Sequence, residues 1–386
     1  MAARFATLPL VVAAICCAGL QFTAPARSEA ARSCGVPVEI DGGWQAATPE
    51  QAGLDAARLC ALEEKLDAAP EMNVHAVVVA RGGKLVYETY RAGEDQRWGT
   101  KLGVVPHAAQ TLHDLRSVSK SVVSLLFGIA LDRKLIAGVD DRVFDYFPDH
   151  GALRTPEKDR ILLRHLLSMS SGLAWDERRP YTDPANSEIM MIRSPEPYRF
   201  VLERRIWNAP GEVWNYSSGS TQLLAGVLQT ATGRPLAEFA REALFEPLGI
   251  TAFEWVSMPA SGEAAAASGL RLRPRDMAKI GQLVLDKGVW NGRRLISEAW
   301  LEESTEARSD GWFPYRYGYQ WWCGESKVGV RTVAWIAAWG HGGQRIYIVP
   351  ADELIVVIAA GLYASDSQGP VVLDILNHYV LAAIRR

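Results

Sequence analysis

The sequence predicts an α+β fold: an antiparallel sheet built from the two ends of the chain, with an all-helical segment inserted between them. Three observations predict it. Runs with strand character lie at 73–90 and again at 319–360, while 132–265 shows helical patterning and little strand signal. Segregated strands and helices argue for α+β over a doubly wound parallel sheet. A helix starting near Ser117 is apolar almost all round and falls at the junction, where clefts form.

Residues 1–30 read as a secretory signal. Arg4 gives the positive start, and 5–20 is an apolar run too short for a comfortable membrane span. Ala24-Pro25-Ala26 and Ser28-Glu29-Ala30 offer small-residue cleavage sites. Cys16 and Cys17 also permit a lipoprotein reading, but Ile15 occupies a place that normally takes a small residue. The expectation is a periplasmic or secreted protein with no stable membrane insertion after cleavage. The exported part keeps Cys34, Cys60 and Cys323. Cys34 and Cys60 can form a bridge in an oxidising compartment, or all three can remain thiols.

A helix is expected over 50–69, with Leu54, Leu59, Leu62 and Leu66 at helical spacing. The stretches 75–80 and 85–90 form a hairpin across Gly82-Gly83. A loop over 92–111 leads to the Ser117 helix. Helices follow at 159–169, 195–206, 219–232 and 235–248, with 180–188 and 259–267 as loops. The last third supplies helices at 275–287 and 297–306, strands at 319–323, 332–338, 345–349 and 354–360, and a closing helix at 371–386. The α/β part thus comprises about 50–131 and 266–386, the helical part about 132–265.

The chemistry centres on Ser117-Val118-Ser119-Lys120. Asp114 is the expected N-cap of this helix, which puts Ser117 in the first turn and Lys120 on the same face. A serine hydroxyl needs an adjacent base, and a desolvated lysine near a positive helix end has its pKa drawn down. The plain alternative is a capping serine beside a snorkelling lysine. Tyr216 precedes the helix at 219–232 and can share proton transfer with Lys120. Trp339-Gly340-His341-Gly342-Gly343-Gln344 opens a strand with glycines that let backbone approach a ligand. The Gln344 and Ser117 N–H groups can pair as an oxyanion hole. His341 can orient a substrate carboxylate or the tyrosine.

These constellations, in this order, resemble the serine β-lactamase and penicillin-binding superfamily. The match is to the class C β-lactamase-like branch, with its esterases and aminohexanoate-oligomer hydrolases. Four stretches carry it: Ser117-Val118-Ser119-Lys120, His165 to Asp176, Tyr216-Ser217-Ser218-Gly219, and Gly340-His341-Gly342-Gly343. The resemblance implies a β-lactamase/transpeptidase-like fold over the exported chain. It implies Ser117 as acylated nucleophile, Lys120 as its base and Tyr216 as second proton carrier. Ser218, His341, Gly342, Gly343 and Gln344 become substrate or oxyanion residues, with Trp175 and Asp176 lining the cleft. Two departures stand out. Ser218 sits where β-lactamases of this branch have asparagine, and His341 where they have lysine.

The implied function is an exported serine hydrolase acting on a small-molecule ester or linear amide. A cell-wall D,D-peptidase or weak β-lactamase is the alternative, and a non-catalytic sensor on the same scaffold a remote one. No metal or organic cofactor is expected, since His-Glu-x-x-His and nucleotide-binding glycine loops are absent. A net charge of −3 without basic runs gives no reason to expect nucleic acid.

Overall fold

The computed structural model describes Ala2, Cys34, Gly35, Pro37 and residues 43–385. Apart from Ala2, the predicted signal segment lies outside the described residues. The architecture is the expected α+β one, dominated by a nine-stranded sheet. Its strands are β1 (Gln45–Ala46), β2 (Val74–Arg81), β3 (Lys84–Tyr90), β4 (Ser309–Asp310), β5 (Arg316–Tyr317), β6 (Trp322–Val328), β7 (Arg331–Gly340), β8 (Gln344–Val349) and β9 (Leu354–Ala360). They are ordered β1-β3-β2-β9-β8-β7-β6-β5-β4. All neighbours are antiparallel except β1 and β3. The two ends of the chain meet where β2 pairs with β9, Val79 opposite Val356 and Val78 opposite Val357.

Side chains alternate across a strand, so these β-branched runs supply two buried faces at once. Val77, Val79, Val356 and Ile358 pack with Leu59, Leu62 and Leu66 of helix α1 (Ala56–Ala68) and with Ile375 and Leu376 near the C-terminus. Val78, Ala80, Ile355 and Val357 pack with Leu125 of α2 (Val118–Asp132) and with Ile280 and Leu283 of a later helix over Pro274–Leu285. Burying each such side chain is worth about 1.5–3 kcal/mol. Asp55 starts α1 by accepting the N–H groups of Ala57 (3.0 Å) and Arg58 (3.4 Å).

Among the helical elements between the strand regions, the one over Ser218–Thr232 matches the expected 219–232, while those expected at 159–169, 195–206 and 235–248 are shorter. The elements are Leu163–Leu167, Ser187–Ile192, Pro197–Leu202, α3 (Ser218–Thr232) and Leu236–Ala240. Ile161 and Leu162 are extended, and Arg142 bridges to Leu162, which delays the first of these. The last passes into a π-turn at Arg241–Phe245. The closing helix does the same, running Gln368–Asp374 before a π-turn at Ile375–Val380. Asn186 nucleates a helix inside the expected loop 180–188 by accepting from Glu188 N at 2.9 Å.

A hairpin falls inside the expected loop 92–111, and a small sheet lies outside the predicted strands. Gly93–Arg97 pairs with Thr100–Val105, and His113–Asp114 joins Leu270–Leu272 and Phe253–Trp255 in a small sheet. The structure joins Cys34 to Cys60 across a 26-residue separation, worth about 3 kcal/mol in a chain-entropy account. Cys323 is free and donates to Thr305 O at 3.2 Å. Among the described residues, no helix is long and apolar enough to cross a membrane.

Candidate active site

Ser117 stands immediately before α2 as its N-cap, half-buried. Its own side chain makes no capping bond. Arg116, one residue earlier, takes φ +50°, a left-handed conformation that costs a non-glycine residue about 1–3 kcal/mol. Asp114 is not the cap expected from sequence. Its buried carboxylate pairs with Arg271 at 2.7 Å and Arg116 at 3.3 Å, and accepts Trp98 N–H at 2.5 Å. These bonds fix the approach to Ser117 from outside the helix.

Lys120 lies one turn on and is 1% exposed. Its ammonium donates to Ser117 Oγ (3.0 Å), Ser218 Oγ (3.0 Å) and Ala267 O (3.1 Å). Three donors meet three acceptors, so the protonated form is fully satisfied. The Lys120 pKa is not depressed as its sequence context predicts. Burial does push its pKa down, but the charges of Tyr216, Glu177 and Glu188 outweigh it and hold the amine above its usual range.

Tyr216 ends the extended segment before α3, whose N-cap Ser217 accepts Ser220 N–H at 3.1 Å. Lys120 Nζ lies 4.9 Å from the Tyr216 ring centre. The phenol is within hydrogen-bonding reach of both Ser117 and Lys120. Burial raises the phenol's pKa, Lys120 lowers it, and Glu177 raises it further, leaving it above the usual value. Both groups therefore rest protonated.

Ser218 is fully buried and occupied by its neighbours. Its hydroxyl accepts from Lys120 and donates to Glu177 Oε1 at 2.8 Å. Its N–H donates to Glu177 Oε2 at 2.5 Å. Glu177 also accepts from Trp175 Nε1 and from Tyr181 OH, the latter at 3.4 Å. Burial pushes its carboxyl up, Glu188 adds to this, and Lys120 opposes it; the result is about 7. Sequence reasoning missed Glu177 and named its neighbour Asp176 instead.

Asp176 turns to Arg179 (3.0 Å) and to the N–H of Arg178 (3.1 Å). Trp175 is 2% exposed, and its ring lies where a Cβ on Gly219 would stand 2.6 Å away. Trp175 and Asp176 together border a separate depression with Phe200, Arg204 and Trp207. The structure thus gives Trp175 a supporting role under Glu177 rather than a place on the wall beside Ser117.

The third constellation is the turn between β7 and β8. Gly340 passes so close to Leu115 that a Cβ would stand 2.2 Å from its carbonyl oxygen. This draws the turn against the segment leading to Ser117. Gly342 donates its N–H to Gln368 Oε1 at 2.8 Å, and Gly342 and Gly343 take φ +88° and +98°. The His341 ring packs against Tyr181, 5.0 Å between centroids, and burial with the Arg116 charge lowers its pKa. The Gln344 side chain is committed to the fold: its amide donates to Ala360 O (2.6 Å) and accepts Ala360 N–H (3.1 Å).

Glu177 gives a pH prediction. Its carboxyl titrates near 7 when folded against an ordinary 4.5, so the folded state holds the proton more tightly. Glu177's contribution to stability is therefore greatest below about 4.5 and falls as pH rises through about 7. Relative to wild type, Glu177→Gln, mimicking the protonated acid, is expected to gain stability as pH rises from about 4.5 toward 8. The same change removes a charge that raises both Lys120 and Tyr216. The rising limb of kcat/KM against pH is expected to move to lower pH, read from ester hydrolysis alongside urea unfolding.

The profile of the Beta-lactamase family matches residues 61–372. The chain belongs to this family, which contains serine hydrolases of esterase, amidase and D,D-peptidase type. It is 27% identical over 323 residues to the 6-aminohexanoate-dimer hydrolase of Paenarthrobacter ureafaciens, covering 78% of this chain and 75% of that one. It is 28% identical over 224 residues to esterase EstB of Burkholderia gladioli, covering 54% and 55%. A penicillin-binding protein homologue from Caulobacter crescentus shares the fold with a TM-score of 0.66 at 18% identity, over 89% of this chain and 100% of that one.

Proposed function

We propose that this chain is an exported serine hydrolase that cleaves an ester or linear amide through an acyl-enzyme on Ser117. The observation that carries the reading is the Lys120 ammonium, 3.0 Å from Ser117 Oγ, with the Tyr216 phenol within reach of both. One proton leaves the Lys120–Tyr216 pair, and that pair then accepts the Ser117 proton as Oγ attacks the carbonyl carbon. The Ser117 and Gln344 N–H groups hold the oxyanion. The pair returns the proton to the leaving alcohol or amine, and water releases the acid by the reverse sequence.

Two features favour an open-chain substrate over a β-lactam. Ser218, in the asparagine's place, is buried between Lys120 and Glu177, so it has no amide to offer the substrate. His341, in the lysine's place, has its pKa lowered by burial, so the third motif lacks a fixed cation for a carboxylate. Beside Tyr216 stands an aromatic wall. Trp312 is 4.9 Å from the Tyr216 ring and 5.0 Å from Trp322, which stacks on Trp339 at 4.8 Å. Such a wall suits an apolar acyl or leaving group. The relative named as a 6-aminohexanoate-dimer hydrolase supports linear amides within the range. Export is supported by the N-terminal signal pattern and by the Cys34–Cys60 bridge, which persists in oxidising compartments.

A substrate panel tests the proposal. Short-chain nitrophenyl esters or linear amides are expected to turn over with kcat/KM about 100-fold or more above nitrocefin, a difference of about 2.7 kcal/mol in transition-state binding. The opposite order would favour the β-lactamase or D,D-peptidase alternative.

A further inference from the structure

A second group of chemistry-bearing side chains lies outside the Ser117 network. His75 comes from β2, Asp95 from the hairpin strand Gly93–Arg97, His107 from the loop after that hairpin, and His113 from the strand four residues before Ser117. Their exposures are 0%, 3%, 9% and 1%. One ligand atom from each lies within 4.8 Å of all the others.

The outer hydrogen bonds set the ring tautomers. Asn73 spends its amide N–H on Glu94 O at 2.8 Å, so its Oδ1 accepts the N–H of His75 Nε2 at 3.1 Å. The N–H of His113 Nδ1 donates to Asp114 O at 2.9 Å. Both inward nitrogens, His75 Nδ1 and His113 Nε2, are then left with lone pairs, and they face each other at 2.8 Å. Two lone pairs at that distance repel unless a cation lies between them. His107 Nε2 and Asp95 Oδ2 are buried without a hydrogen-bond partner, 3.6 Å apart. Asp95 Oδ2 is also 3.8 Å from His113 Nε2.

We propose that these four residues bind one divalent transition-metal ion of the zinc class, through His75 Nδ1, His107 Nε2, His113 Nε2 and Asp95 Oδ2. Three neutral imidazoles and a carboxylate suit zinc, and bonds near 2.0–2.1 Å make tetrahedral ligand–ligand edges of roughly 3.3 Å. Three of the six ligand–ligand distances, 2.8, 3.6 and 3.8 Å, bracket that edge and none exceeds 4.8 Å, so modest side-chain shifts close the site. Imidazole hydrogen bonds to a carboxamide and a backbone carbonyl are the outer contacts that orient metal-bound histidines. Four protein ligands leave no open position, so the ion's role is structural. It would fasten β2, the 93–105 hairpin and the strand feeding Ser117 to one another. The remaining Asp95 oxygen accepts Tyr363 OH at 3.0 Å, and the Tyr363 ring lies 6.1 Å from His341. The site would therefore also steady the turn opposite Ser117.

The test uses the full chain, stripped with chelator and then titrated with zinc or cobalt(II) alone. Wild type is expected to take up about one equivalent by elemental analysis, to gain roughly 5 °C in Tm, and to show intense tetrahedral cobalt absorption. His107→Ala, at a loop position, is expected to keep its circular dichroism and lose all three responses; Asp95→Asn provides a second variant that keeps an acceptor for Tyr363. Wild type binding less than about 0.1 equivalent, or His107→Ala and Asp95→Asn both binding as wild type does, would overturn the proposal. None of these readouts depends on hydrolytic activity, so failure here is separate from failure of the Ser117 reading.

Discussion

Ser117→Ala is expected to lower kcat/KM for a nitrophenyl ester by about 10⁴- to 10⁶-fold, the range seen when a nucleophile is removed from a cooperating set. The loss is chemical rather than structural. Ser117 is half-buried at a helix start and its side chain caps nothing. Its removal takes one of three acceptors from Lys120, which costs about 1–3 kcal/mol. A cooperative urea transition, its midpoint lowered by no more than that cost, with hydrolysis at background, is the predicted pair of results. Hydrolysis persisting near the wild-type rate would move the nucleophile elsewhere.

Lys120→Met is expected to lower kcat by about 10³-fold or more and to destabilise the fold in a pH-dependent way. Lys120 is the cation among Glu177, Glu188 and Tyr216. Without it Glu177 loses the charge that opposes burial, and its carboxyl moves above about 7. Below that pH Glu177 is already protonated, so little extra is lost. Above it the carboxylate must ionise without its partner, and removing one member of a buried pair costs about 3–5 kcal/mol. Urea midpoints of wild type and variant are expected to diverge more at pH 8.5 than at pH 6. A uniform loss across that range would show that Lys120 contributes packing alone.

The site was legible in sequence wherever local geometry sufficed. Ser117 and Lys120 are three residues apart, and a helix alone brings them to one face. Tyr216 is 96 positions from Lys120; its place before a helix marked it as a candidate, and resemblance to a family supplied its role. Glu177 carried no such signal, because its importance arises from Ser218 N–H, Trp175 and Lys120 converging on it. Long-range packing likewise reverses the expected Lys120 shift, since the groups responsible come from 216, 177 and 188. At the level of fold, β2 and β9 are β-branched runs that identify themselves, whereas Gly93–Arg97 is polar and short and reads as loop. His75, Asp95, His107 and His113 have no ligand spacing, and only the sheet pairings gather them.

Intact-protein mass spectrometry after mixing with a fluorophosphonate or a slowly released ester tests the central claim most directly. One adduct per chain is predicted, mapping to the peptide that contains Ser117 and absent from Ser117→Ala. Rapid ester turnover by an active preparation with no adduct, or with the label on another residue, would contradict the account.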